Sequence, residues 1–140
     1  MPVSFQNADV SFTLPAKQAL KKFITSSFEK EAKKTLRVSY IFCSDDYLLR
    51  INQDFLRHDY YTDIITFPLS ETDREVEAEI YISIDRVREN AAKLKTPFDQ
   101  ELHRVLFHGI LHLIGYQDKT STQKELMRKA EDKWLKKYGP

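Results

Sequence analysis

One cysteine, Cys43, is the only thiol in this chain of 140 residues. That excludes an internal disulfide framework and points to a reducing compartment. Neither sign of charge is in excess, because 22 Lys and Arg meet 21 Asp and Glu for a formal net charge of +1. A protein held on nucleic acid by bulk charge is thereby excluded, and any RNA contact has to come from local patches. The two basic candidates, "KQALKKF" with "KEAKK" and the closing "KWLKKY", read first as solvated helix faces. No apolar run approaches the roughly 20 residues a membrane span needs. The opening "MPVSFQNADV" has no basic stretch followed by an apolar one, so no secretion signal is expected. Repeats, low-complexity tracts and linkers are also missing. The expectation is one soluble, cytoplasmic domain over residues 1–140, able to bury roughly two-thirds of its potential surface.

What is present is a clear succession of periods. "VSFQ" at 3–6 and "LRVSYIFC" alternate as strands, and Cys43 in the second reads as a small buried hydrophobe. Leu20, Phe23, Ile24 and Phe28 recur at helical spacing, predicting a helix from about 15 to 34 that starts at Pro15. Ser44 and Asp45 supply a cap for a helix through "DYLLRINQDFLR". "TDIITFP" (62–68) and "AEIYISI" (78–84) are strands, and the polar "SETDREVE" between them is a loop compatible with antiparallel pairing. Three helices close the chain: "DRVRENAAKLK", a long one over 98–115, and "TQKELMRKAEDKWLKKYG" with Thr122 and Glu125 spaced as a capping box. The order predicts an α+β fold, a small mixed sheet of about four strands packed against about five helices. Because the last helices follow every strand, they are expected to lie on the sheet.

The chemistry concentrates in "HGILHLIGYQD", residues 108–118. His108 and His112 are four apart, so on a helix both imidazoles leave one face, a turn apart, and can grip one divalent ion. Asp118 stands ten residues after His108, where an unbroken helix has risen about 15 Å and turned away. It reaches the ion only if the helix stops and the chain returns, which Gly115 permits. The pattern H-x-x-x-H-x-x-G-x-x-D therefore reads as helix, glycine brake and third ligand, with the metal site at the end of the penultimate helix. One class of zinc peptidase shares this spacing but ends on histidine and carries a glutamate base after the first. Here that position is Gly109, which cannot take a proton; what remains suits phosphodiester better than peptide cleavage. A plainer reading stays open on the residues alone, with Asp118 capping a turn and Gly115 ending a helix.

"ELHRVLFHGILHLIGYQD", followed by Met127 and Glu131 four apart, resembles the YbeY family of bacterial endoribonucleases. Upstream, "INQDFLRHDYYTDIITFP" and "AEIYIS" look like that family's asparagine-aromatic segment and its two strands, so the resemblance covers about 50–131. It implies an α+β fold and one zinc ion, with manganese, nickel or another divalent ion as alternatives. It further implies cleavage of single-stranded RNA in maturation of the 16S rRNA precursor at its 3′ end, a role in ribosome quality control, and association with the small ribosomal subunit.

Carried over by position, His108 and His112 are metal ligands, and Asp118 stands where the family usually has histidine. An aspartate partly neutralises the ion, so water on it is expected to be less acidic, and harder ions such as manganese compete better. The family's arginine directly follows the aromatic. Here Leu56 follows Phe55 and Arg57 comes one place later, as the candidate catalytic residue or a solvated residue past a helix end.

Asp63 and Glu131 each read as structural hydrogen-bonders or as orienting a ligand histidine or the substrate. Tyr60 and Tyr61 suit either base stacking or packing, and His58 and Asp59 read as surface. His103 points roughly 140° away from His108 around the helix and is left out of the metal site. Two other functions stay open at this level: a metal-dependent hydrolase of another bond, and a ribosome-associated binding factor with a structural metal.

Overall fold

The computed structural model describes residues 2–139. Its sheet has the order β1-β2-β4-β3. β1 (Val3–Asn7) and β4 (Glu75–Ser83) each run parallel to β2 (Thr35–Cys43), and β3 (Ile64–Glu71) is antiparallel to β4. The expected mixed sheet of four strands is therefore present. β3 and β4 reach further into the polar linker than its composition suggests, leaving a turn of Thr72–Arg74. Thr72 closes that turn, its Oγ1 accepting from the Arg74 and Glu75 N–H groups at 3.1 and 3.0 Å.

Alternation decides which side of the sheet is dry. Leu36, Val38, Tyr40 and Phe42 of β2 and Val76, Ala78, Ile80 and Ile82 of β4 are all buried on one face. Burial of such side chains, worth about 1.5–3 kcal/mol each, drives the fold. Tyr40 also needs a partner for its hydroxyl, which donates to the Leu106 carbonyl at 2.7 Å. The opposite face is covered over Cys43 and Ile65 by Leu48 of α2 (Asp45–Leu56). Burial, with Asp9, Asp45 and Asp85 nearby, pushes the Cys43 thiol up to about 12, so it is an inert hydrophobe at neutral pH.

Five helices complete the fold among the described residues. α1 (Lys17–Ala32) buries Leu20, Ile24 and Phe28 at four-residue spacing. It starts two residues after Pro15, because Ala16 takes a left-handed conformation (φ 56°) and only Lys17 onward is helical. α3 (Ile84–Leu94) is capped by Ser83, whose Oγ accepts from the Arg86 N–H. α4 (Phe98–Ile114) lies on the dry face of the sheet. Gly109 makes this approach possible: a Cβ there would come within 2.9 Å of Ile80 Cδ1 and 3.1 Å of Ile64 Cδ1.

α5 (Ser121–Tyr138) lies against α4 rather than on the sheet, correcting the expectation for the last helix. Its Trp134 packs on Phe23 and Phe107 and donates to Glu31 Oε1 at 3.0 Å. Its capping box is Thr120 with Gln123, not Thr122 with Glu125. Starting earlier lets Gln123 Oε1 accept from both the Lys119 and Thr120 N–H groups, which a later start would leave unpaired. Among the described residues no helix is long and apolar enough to cross a membrane.

Candidate metal centre

Two structural devices bring three distant donors together. Spacing on α4 sets His108 and His112 edge to face, with ring centroids 4.6 Å apart. Gly115 then breaks the helix at φ 133°, where a side chain would be strained, and its N–H bonds back to the Leu111 and His112 carbonyls. Tyr116 N–H also bonds to Leu111 O, completing a helix-ending turn that sends the chain back along α4. Asp118 arrives with its Oδ2 at 3.4 Å from His108 Nε2 and 3.5 Å from His112 Nε2. One donor atom from each of the three residues lies within 4.8 Å of the others. Ligands bonded at about 2.0–2.1 Å in a tetrahedron sit about 3.3 Å apart, so both measured separations fit one small divalent ion.

The opposite edges of the imidazoles are occupied. His108 Nδ1 lies 2.6 Å from Glu131 Oε2, and His112 Nδ1 lies 2.9 Å from the Tyr116 carbonyl. Both acceptors require an N–H at Nδ1, which leaves each Nε2 lone pair facing Asp118, the tautomer a metal needs. Burial works against charge on His108, but the Glu131 hydrogen bond and the Glu131, Asp118 and Asp63 charges outweigh it and raise its pKa. Glu131, only 5% exposed, is itself held by Arg104, whose Nη1 donates to Glu131 Oε1 at 2.9 Å while Nη2 donates to Asp132 Oδ1 at 2.7 Å. Arg104 was not among the candidates, although it lies one turn before His108 on the same helix face.

The cluster opens into a cavity of about 670 Å³ between α4, α5, the end of α2 and β3. Asp63 lines it at the entry to β3. Its carbonyl accepts from Ser83 N–H at 3.0 Å, and its carboxylate accepts from Asn90 Nδ2 at 3.4 Å. Burial raises its pKa despite the opposing His108 charge. Asp63 is thus a strand-entry hydrogen-bonder near His108 without a direct bond to it.

The loop after α2 is pinned from beneath by Asn52, 1% exposed, whose Nδ2 donates to the Tyr60 carbonyl at 2.9 Å. Leu56, His58 and Tyr60 line the cavity; Arg57, exposed at the left-handed end of α2, does not. Tyr60 stacks on His58, whereas Tyr61 sits under the Arg86 guanidinium outside the cavity. Asp59 is exposed and accepts from Gln53. His103 is away from the centre, packed on Phe107 and Tyr138, and burial lowers its pKa.

Gly109 faces the sheet, not the donors. A glutamate at this position would meet Ile80 and Ile64, so the peptidase base has neither the residue nor the space. Sequence reasoning also passed over Glu101 and Arg128, which line the same cavity. The visible signal was spacing: Glu101 is seven residues before His108, and Arg128 three before Glu131.

The family model described as Endoribonuclease YbeY matches residues 3–139. Endoribonuclease YbeY of Cytophaga hutchinsonii is 48% identical over 130 residues, covering 93% of this chain and 91% of its own. The Flavobacterium psychrophilum protein of the same name is 45% identical over 136 residues, covering 97% and 96%. A solution structure of a Thermotoga maritima protein superposes with a TM-score of 0.65 at 27% identity, covering 97% of this chain and 88% of its own.

Proposed function

Because the chain belongs to the YbeY endoribonuclease family, we propose that it cuts single-stranded RNA using a metal held by His108, His112 and Asp118. The reading includes maturation of the 16S rRNA 3′ end and ribosome quality control, in the cytoplasm beside the small ribosomal subunit. The observation that carries it is the convergence of two imidazole nitrogens and one carboxylate oxygen at the wall of the cavity. The donor set suits zinc, with manganese, which the carboxylate favours, and nickel or another divalent ion as alternatives. A divalent ion bound there supplies positive charge to a phosphoryl oxygen and makes water a better nucleophile at neutral pH.

The chain's own groups do the positioning. Glu131 accepts a hydrogen bond from His108 Nδ1–H and fixes the ring, and Arg104 fixes Glu131 in turn. Asp63 adds negative charge behind the same ring. We assign the substrate phosphate to Arg57 on its place in the sequence: it is exposed outside the cavity wall that its neighbours Leu56 and His58 line, and its planar fork would match two phosphate oxygens. The absence of a base and of room for one at Gly109 favours phosphodiester over peptide cleavage.

The test pairs elemental analysis with cleavage assays. Protein purified without added metal should carry close to one equivalent of a transition metal, and Asp118→Ala should lose it. Unstructured RNA should be cut and casein left intact, with chelator stopping the cleavage. Proteolysis without RNA cleavage would reverse the assignment. A folded His112→Ala protein cutting RNA at the unaltered rate would make the metal structural.

A further inference from the structure

Glu101 is a strongly buried carboxylate in the cavity wall with no task in the proposed cleavage. It is 6% exposed, yet its carboxyl forms no hydrogen bond or ion pair among the described residues. Glu131, similarly buried, has both oxygens engaged. Burial, then the Asp63 charge, raises the Glu101 pKa, while Arg104 and Arg128 act in the opposite direction. Its place near the start of α4 also favours the anion, through the exposed N–H groups and dipole of the helix end. Its carboxyl oxygens are open to the cavity rather than sealed from it, so water reaches them until a ligand that brings its own donors takes that place.

Distance limits what that ligand is. Seven residues separate Glu101 from His108, which is nearly two full turns, so the two share a face about 10.5 Å apart along the axis. Proton transfer to a phosphate at the metal centre needs a hydrogen bond of about 2.6–3.2 Å, so Glu101 is not the acid for that phosphate. A second cation is not favoured either. His108, His112 and Asp118 form the only metal-competent group among the described residues, and two arginines bear on Glu101. The span instead matches that from a phosphate to the far edge of its own nucleobase. Val105 and Ile64 are apolar members of the same wall, and about 670 Å³ accommodates a nucleoside.

Resting on the endoribonuclease reading, we infer that Glu101 recognises the Watson–Crick edge of a guanine in one of the two nucleotides sharing the scissile phosphate. A carboxylate offers two parallel acceptors. Guanine alone among the four RNA bases presents two adjacent donors there, N1–H and the N2 amine. Adenine and cytosine set one amine beside a ring acceptor that faces a carboxylate lone pair, and uracil sets one N–H between two carbonyls. Bidentate recognition of a base by a planar side chain discriminates by roughly tenfold or more.

The experiment uses the metal-loaded protein and single-stranded oligonucleotides with one defined cleavage junction. Guanosine on each side of the junction in turn is replaced by inosine, which lacks the N2 amine, or by 7-deazaguanosine, which keeps both donors. At one of the two positions, inosine should lower kcat/KM about tenfold and 7-deazaguanosine should leave it unchanged. In Glu101→Gln, which has one acceptor and one donor, the guanosine-to-inosine ratio should fall close to one. Equal cleavage of guanosine and inosine substrates at both positions by the unaltered protein overturns the inference and leaves the nuclease reading intact. A guanosine preference that persists in Glu101→Gln overturns it as well. Failure to cut any of these RNAs with metal bound would remove the nuclease reading itself, and this inference with it. If Glu101→Gln does not fold, Glu101→Asp takes its place: it keeps two acceptors but shortens their reach, and a guanosine-to-inosine ratio as large as that of the unaltered protein overturns the inference.

Discussion

Glu131 offers a quantitative test of how the centre is held. The substitution Glu131→Gln keeps the side-chain volume and an acceptor for His108 Nδ1–H, but replaces a charge-assisted contact at 2.6 Å with a neutral one. Hydrogen bonds to charged groups contribute about 1.5–3 kcal/mol and neutral ones about 0.5–1.5, so the difference is about 1–1.5 kcal/mol. At about 1.4 kcal/mol per factor of ten, metal affinity should fall roughly tenfold. Glu131→Ala removes the acceptor and leaves Arg104 Nη1 unpaired as well, and should approach the upper end of the 10–100-fold range for such supporting residues. The assay is competition with a chromophoric chelator at fixed pH, with circular dichroism to show that each variant is folded. A Gln variant that binds metal as tightly as the unaltered protein would refute the argument that Glu131 orients His108.

Three further outcomes are expected. Gly109→Ala places a Cβ against Ile80 and Ile64. Overpacking of about 1–3 kcal/mol is offset by about 1 kcal/mol of helix propensity, for a net loss of up to about 2 kcal/mol, and a stabilised variant in urea would contradict the tight approach. In the metal-free protein, His108 has a raised folded pKa, so its contribution to stability is complete below the unfolded value of about 6.5 and is lost as pH rises through the folded one. Urea midpoints of the unaltered protein minus those of His108→Asn should therefore fall across that window; a flat or rising difference would show that the acidic neighbours do not hold the proton. Asn52→Ala removes the bond to the Tyr60 carbonyl and should cost about 1–3 kcal/mol. Amide exchange at residues 58–62 should quicken, whereas unchanged exchange would mean that the loop is anchored elsewhere.

Much of this molecule is legible in one dimension because the signals are local and periodic. Alternation in "LRVSYIFC" and "AEIYISI" marked both central strands, and the spacing of Leu20, Ile24 and Phe28 marked α1. His108, His112, Gly115 and Asp118 were readable together, because spacing on one helix plus a single turn relates all four. Boundaries were less legible where two residues satisfy the same rule. Thr120 with Gln123 and Thr122 with Glu125 both fit a capping box, and only the path out of α4 chooses between them.

The sequence by itself determined the order of elements, the alternation of the central strands and the spacing that lets His108, His112 and Asp118 converge, because hydrophobic period and turn chemistry act over a few residues. Tertiary structure alone decided that Arg104 grips Glu131 across 27 residues, that Gly109 spares room against the sheet, that Arg57 lies outside the cavity wall, and that Glu101 stands in it without a partner among the described residues. Those facts depend on how α4 and α5 settle against each other and on the sheet. That arrangement is fixed by packing between residues far apart in the chain, which no local pattern records.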